Sequence, residues 1–265
     1  MEIKNILACV DSSDYGVSVS RFSCFIAKKF NAHVKGFHVI DIMQLEGPFM
    51  YDLSGALGFE PFGDFSSKIR AILEEKGKNV LMAFESIAKD FGVEYSSEME
   101  TGVVSSTILS AESEYDIVCL GLKGVNEDYE RGILGSNIES VLRRSKKTLL
   151  VVPKHFYTPS VVLAFVNEKE ISLKAYEYAK AFADRFGIEF KAIYFKKNDV
   201  SLPDDVEVRE ADRVADAIEE EIKKVEKPIV FMGAYAKSKL KEILLGSTTE
   251  NVLKKELGVA FMVVR

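Results

Sequence analysis

Two stretches far apart in the chain carry the same ordered series. Residues 133–152 read ILGSNIESVLRRSKKTLLVV, and residues 243–264 read ILLGSTTENVLKKELGVAFMVV. Each runs Ile-Leu, Gly-Ser, Glu, Val-Leu, two basic residues and then an apolar strand. Chance gives the Gly-Ser alone, but not the whole series at a similar distance from two segment ends. Repetition sets architecture before any local pattern does. The 265 residues are therefore expected to form two copies of one unit, 1–154 and 159–265, and not one large domain.

Within each copy, short apolar runs alternate with longer amphipathic stretches. In the first, strands are expected at Ile6–Val10, Val34–Ile42, Val93–Met99, Ile117–Leu120 and Thr148–Val152. Helices are expected from the Ser12-Ser13 cap to Phe30, over Ser66–Phe91, over Val104–Ser113 and over Ser136–Ser145. In the second, strands are expected at Val161–Val166, Glu189–Phe195, Val206–Arg209, Ile229–Gly233 and Val259–Val264. Its helices are expected at Glu170–Phe186, Asp212–Val225 and Ser247–Leu257. Strand-helix alternation with near-continuous apolar strands predicts an α/β fold: two doubly wound parallel sheets with helices on both faces. The second copy is shortened. Only Lys196–Asp205 stands where the first has residues 43–91, so the long helix between strands two and three is missing.

Composition excludes several classes. Hydrophobic residues make up 47% and charged residues 29%, normal for a soluble globular chain. The net charge of −6 argues against nucleic acid as partner, because phosphate-backbone binders carry a basic excess. Cys9, Cys24 and Cys119 are too few and scattered for a disulfide framework, and they lack the spacing of a zinc site. No run approaches the ~20 apolar residues of a membrane span, and the start has no h-region of signal-peptide length. The expected compartment is the reducing cytosol, with no membrane partner.

Glycines mark the chemistry. Gly121-Leu-Lys-Gly124 follows a strand, and ten residues later Gly135-Ser136-Asn137 opens a helix. Ligands of doubly wound sheets bind at the C-terminal strand ends. A helix N-terminus with free N–H groups suits phosphate, and glycine lets the backbone approach it. The plainer reading of Gly135-Ser136 is a capped helix start, and spacing alone leaves both open. Gly233-Ala-Tyr-Ala236 and, nine residues later, Gly246-Ser247-Thr248 hold the matching place in copy two. There is no G-x-x-x-x-G-K-[ST] and no G-x-G-x-x-G after the first strand, so neither a P-loop nor a dinucleotide fold is expected.

These glycine series, the opening strand ILACVDSS with Asp11, and the His38-Val39 end of strand two resemble a tandem member of the universal stress protein family. The family motif is G-x2-G-x9-G-[ST]. The resemblance implies an adenine nucleotide alpha hydrolase-like fold and an adenine-nucleotide ligand, ATP with or without Mg2+. By that resemblance Asp11 lies by the adenosine portion and the Val39 backbone meets the adenine edge. Gly121, Gly124, Gly135, Ser136 and Asn137 cradle ribose and phosphates. The matching positions in copy two are Asn167, Phe195, Gly233, Ala236, Gly246, Ser247 and Thr248. Copy one departs by one extra residue in its spacing. Copy two departs by Ala236 for glycine and Asn167 for aspartate. Copy one, with the better base end, is favoured for nucleotide.

The resemblance also implies that the last strands, Leu149–Val152 and Phe261–Val264, pair across a boundary, so that the copies form a pseudo-dimer within one chain. Residues 43–66 carry Phe49, Met50, Tyr51, Leu53, Leu57, Phe59, Phe62 and Phe65 and need a cover. Packing against copy two or a second chain, giving a homodimer, is one reading, and a nucleotide lid is another. No Ser/His/acid or Cys/His set is identifiable, and no residue is assigned a catalytic or metal-binding role. The expected function is a cytosolic ATP-binding stress-response regulator, with nucleotide as ligand more than substrate. The alternatives are a non-nucleotide interaction protein with degenerate loops and a slow ATPase or phosphotransferase.

Overall fold

Runs such as Ile117–Gly121 and Val161–Val166 are apolar at nearly every position, which suits strands covered on both faces. The computed structural model describes residues 2–43, 64–125, 134–196, 202–234 and 247–265. Its first five strands are β1 (Asn5–Cys9), β2 (His33–Asp41), β3 (Tyr95–Gly102), β4 (Ile117–Gly121) and β5 (Thr148–Val152). The next five are β6 (Val161–Val166), β7 (Glu189–Phe195), β8 (Val206–Arg209), β9 (Pro228–Gly233) and β10 (Ala260–Val264). All ten form one sheet in the order β3-β2-β1-β4-β5-β10-β9-β6-β7-β8. Each half therefore repeats one winding order, and every neighbouring pair is parallel except one.

The exception joins the halves. β10 runs antiparallel to β5, with Phe261 opposite Val151, Met262 opposite Leu150 and Val263 opposite Leu149. Every residue of both strands is buried. A strand that would otherwise be an open edge in each half is paired, which removes two templates for aggregation.

The helices are α1 (Asp14–Phe30), α2 (Asp64–Phe91), α3 (Val104–Ala111), α4 (Ser136–Arg144), α5 (Glu170–Phe186), α6 (Val214–Lys223) and α7 (Ser247–Leu253). Ser13 caps α1, its hydroxyl accepting from the Gly16 amide. Helices α1, α2 and α5 cover one face through Phe22, Phe84 and Phe182, among others. Helices α3, α4, α6 and α7 cover the other through Ile108, Val141, Ile218 and Val252.

Both faces are stitched across the β5–β10 seam. On the first, Phe25 of α1 meets Phe186 of α5 with ring centres 5.0 Å apart, and Phe22 meets Phe156 at 4.8 Å. Tyr157 donates to Pro228 O and accepts from the Ala260 amide, so its buried hydroxyl is satisfied on both counts. Burial pushes this phenol well above its ordinary value. On the second face, Arg143 of α4 reaches Glu250 of α7 at 3.0 Å. Arg143 also pairs with Glu139 within α4, and Lys254, just past the end of α7, pairs with Glu250. The repeated Glu and basic positions are thus one ion-pair network.

Two sequence expectations shift most. β3 lies at Tyr95–Gly102, not Val93–Met99, because it is an edge strand whose polar residues are tolerated. α7 stops at Leu253, and Glu256 and Gly258 follow with φ of 49° and 69°. Left-handed backbone cannot continue a helix. The link from β7 to β8 uses residues 196–205 with no helix among its described residues. Leu202 packs against the core there, and Lys180 and Tyr176 bind Asp205, holding its carboxyl below the usual range. The apolar 43–66 segment falls almost wholly at 44–63, outside the described residues. Among the described residues, no helix is long and apolar enough to cross a membrane.

Candidate functional site

In the first half the strand order turns back between β1 and β4. β2 continues from β1 on one side, and β4 lies on the other. A crevice opens at the C-terminal ends of these strands, where doubly wound sheets hold ligands. It encloses about 1220 Å³ of empty space, its open mouth included. Asp11, Val39, Gly121, Gly124, Gly135, Ser136 and Asn137 all line it. Seven positions spread over much of the first half thus meet in one cleft.

Each wall has a local cause. Asp11 follows β1, and its Oδ1 accepts from the Ser13 amide at 3.0 Å and from the Ser13 hydroxyl. This turn fixes the carboxylate at the strand end. The β1–β2 ladder ends at Cys9–Phe37, and Val10 N–H then donates to Phe37 O at 2.9 Å. Peptide groups alternate along a strand, so those of Val39 point the same way as those of Phe37, past the end of β1. They are placed to bond a planar ligand edge. His38 Nδ1 donates to Val10 O at 2.9 Å, so this ring is partnered as well as lining the cleft.

On the opposite wall, a Cβ on Gly124 would stand 2.7 Å from Asp11 Oδ2. A Cβ on Gly121 would stand 2.6 Å from Lys123 O. Both contacts are closer than side chains tolerate, so these walls approach because glycine is there. Gly135 is the N-cap of α4 and supplies no side-chain cap. Among the described residues, no side chain caps the first-turn amides of α4, which lie at the cleft. Ser136 and Asn137 are exposed there, while Gly135 is buried.

The cleft also takes in residues that the motif reading left without a role: Ser12, Tyr15, Lys76 and Lys123. Lys123 stood inside the quoted Gly121–Gly124 series, and a cation between two such glycines was the available signal. Cys9 lines the cleft too, but burial pushes its thiol well up, so the reactive thiolate is disfavoured. Cys24 and Cys119 are buried, and burial raises both thiols to about 12. Among the described residues, no three acidic, histidine or cysteine side chains gather as metal ligands.

The second half repeats part of this. Asn167 follows β6, and its Oδ1 accepts from the Lys169 amide at 3.0 Å, as Asp11 does from Ser13. Phe195 ends β7 as a buried ring, 6.3 Å from Phe165. Gly233 ends β9, and Ser247 and Thr248 open α7. Thr249 donates to Gly233 O at 3.2 Å, tying the helix start to the strand end. Ile138, its counterpart in the first half, has no hydroxyl with which to do so. Ala236 and Gly246 lie outside the described residues.

Comparisons with known proteins bear on the family and on the fold. The sequence profile of the universal stress protein family matches residues 2–153. The universal stress protein Slr1230 of Synechocystis is 23% identical over 278 residues, spanning 96% of this chain and 97% of its own. The universal stress protein MJ0531 of Methanocaldococcus jannaschii is 29% identical over 153 residues, spanning 57% of this chain and 82% of its own. A crystal structure of a universal stress protein from Archaeoglobus fulgidus superposes with a TM-score of 0.74 at 20% identity. It covers 99% of this chain and 96% of that one.

Proposed function

The chain belongs to the universal stress protein family, and from that premise we propose that it is a cytosolic regulatory protein that binds an adenine nucleotide, ATP foremost, in its first half. One observation carries the reading. Asp11, the Val39 backbone, Gly121, Gly124 and the uncapped start of α4 meet in a single cleft. Between them they offer an acceptor for a ribose, peptide groups for a base edge and oriented N–H donors for phosphates. Mg2+ would arrive on the phosphates, whose oxygens and waters supply most of its ligands.

Nucleotide acts here as ligand more than substrate. The hydroxyl paired with the Asp11 carboxylate, that of Ser13, is taken up in capping α1, and phosphoryl transfer needs groups that position the attacking oxygen. Two units, 1–154 and 159–265, joined as a pseudo-dimer, fit the repeated strand order and the β5–β10 pairing. Three free cysteines suit a reducing compartment. Isothermal titration of ATP with Mg2+ into the purified chain is expected to show saturable binding. No binding at millimolar ATP would remove the proposal.

A further inference from the structure

Lys123 lies between the two glycines of the cleft wall, yet its side chain is only 5% exposed. Lysine is rarely buried unless paired, since an ammonium without a counter-charge is costly to desolvate. The counter-charge comes from the other half. Glu256 Oε1 stands 2.7 Å from Lys123 Nζ. The seam explains the meeting: β10 runs antiparallel to β5, so the turn entering β10 lies beside the C-terminal end of β5 and the first-half cleft. Glu256 sits in that turn, and its φ of 49° helps aim it.

The electrostatics of the cleft give this pair its meaning. The first half carries 17 basic against 22 acidic residues through position 155. The Asp11 carboxylate faces Gly124. A phosphate-bearing ligand therefore enters an acidic neighbourhood and needs a cation close by. Lys76 also lines the cleft but is exposed on α2, where water screens it. Lys123 is shielded and so acts at greater strength.

We propose that Lys123 is the side chain by which the cleft selects phosphorylated over unphosphorylated nucleosides, and that Glu256 weakens this selection by holding the same ammonium. The proposal rests on the nucleotide reading above. It adds a specificity residue and makes the second half part of the first half's site. Linkage then requires that a polyphosphate drawing on Lys123 loosen its hold on Glu256.

Titrations of adenosine, AMP and ATP at fixed ionic strength test it, with Lys123→Met, Lys123→Arg and Glu256→Gln. Lys123→Met is expected to weaken ATP at least tenfold and leave adenosine within twofold. Lys123→Arg is expected to keep the ATP preference. Glu256→Gln is expected to tighten ATP several-fold, because it removes the competing charge. A purely structural ion pair predicts the opposite for Glu256→Gln: weaker binding of ATP and adenosine alike. That result, or an unchanged ATP-to-adenosine ratio in Lys123→Met, overturns the proposal. Should Lys123→Met fail to fold, the sign of the Glu256→Gln effect decides alone. Wild-type protein that binds neither adenosine nor ATP would overturn the nucleotide reading itself, a different outcome from binding without discrimination.

Discussion

Gly124→Leu is expected to lower ATP affinity at least tenfold while leaving the fold in place. The Cβ alone would stand 2.7 Å from Asp11 Oδ2, and the rest of the leucine would project into the space between the two walls. Either the carboxylate moves or the loop does, and both displace groups assigned to ribose and phosphate. A tenfold loss is about 1.4 kcal/mol, and an obstructed cleft exceeds that easily. Stability should change little, because Gly124 is only half-buried at a loop. A shift of about 1 kcal/mol moves Tm by roughly 2–4 °C in a chain of this size class. Titration and a thermal scan on one preparation read both quantities. Gly124→Ala should fall between wild type and leucine. Unaltered affinity in Gly124→Leu would mean that the cleft is not where nucleotide binds.

Met262→Asp is expected to prevent folding of the whole chain, not of one half. Met262 is fully buried in β10 opposite Leu150, at the one antiparallel pairing of the sheet. An unpaired carboxylate there has no counter-charge and costs more than about 4 kcal/mol. Whole-domain stabilities are only about 5–15 kcal/mol. The aromatic contacts of α1 with α5 and the Arg143–Glu250 pair cross the same seam, so they fail together with it. Met262→Leu keeps volume and apolarity and should cost under about 1.5 kcal/mol. Urea unfolding followed by circular dichroism separates the two variants. A stable Met262→Asp protein with an unchanged midpoint would mean that the halves do not depend on their shared strands.

The parts of the fold that were legible in the sequence are those set by local pattern. Buried strands such as Thr148–Val152 and Val161–Val166 need apolar residues on both faces, and they stand at their predicted bounds. The glycine series marked where β4 ends, where a Cβ on Gly121 or Gly124 would come too close to the facing wall, and where α4 begins at the Gly135 N-cap. Edges were harder to read. β3 is polar because it has one strand neighbour and partial burial, so the weak apolar pattern of Val93–Met99 placed its start two residues and its end three residues early. The true end of α7 depends on the left-handed Glu256, which no helical periodicity signals. Contacts between distant segments were the least legible. The β5–β10 pairing came from family resemblance and not from any local pattern. The Lys123–Glu256 pair came from neither, since it exists only once the antiparallel seam brings the two turns together.

The central claim is that an adenine nucleotide occupies the first-half cleft. Photolabelling with 8-azido-ATP, followed by peptide mass spectrometry, tests it most directly. The account predicts label on peptides around Val39 or from Gly121 to Asn137, chased by excess ATP and lost in Gly124→Leu. Label confined to peptides of residues 159–265, or label that ATP does not displace, would contradict it.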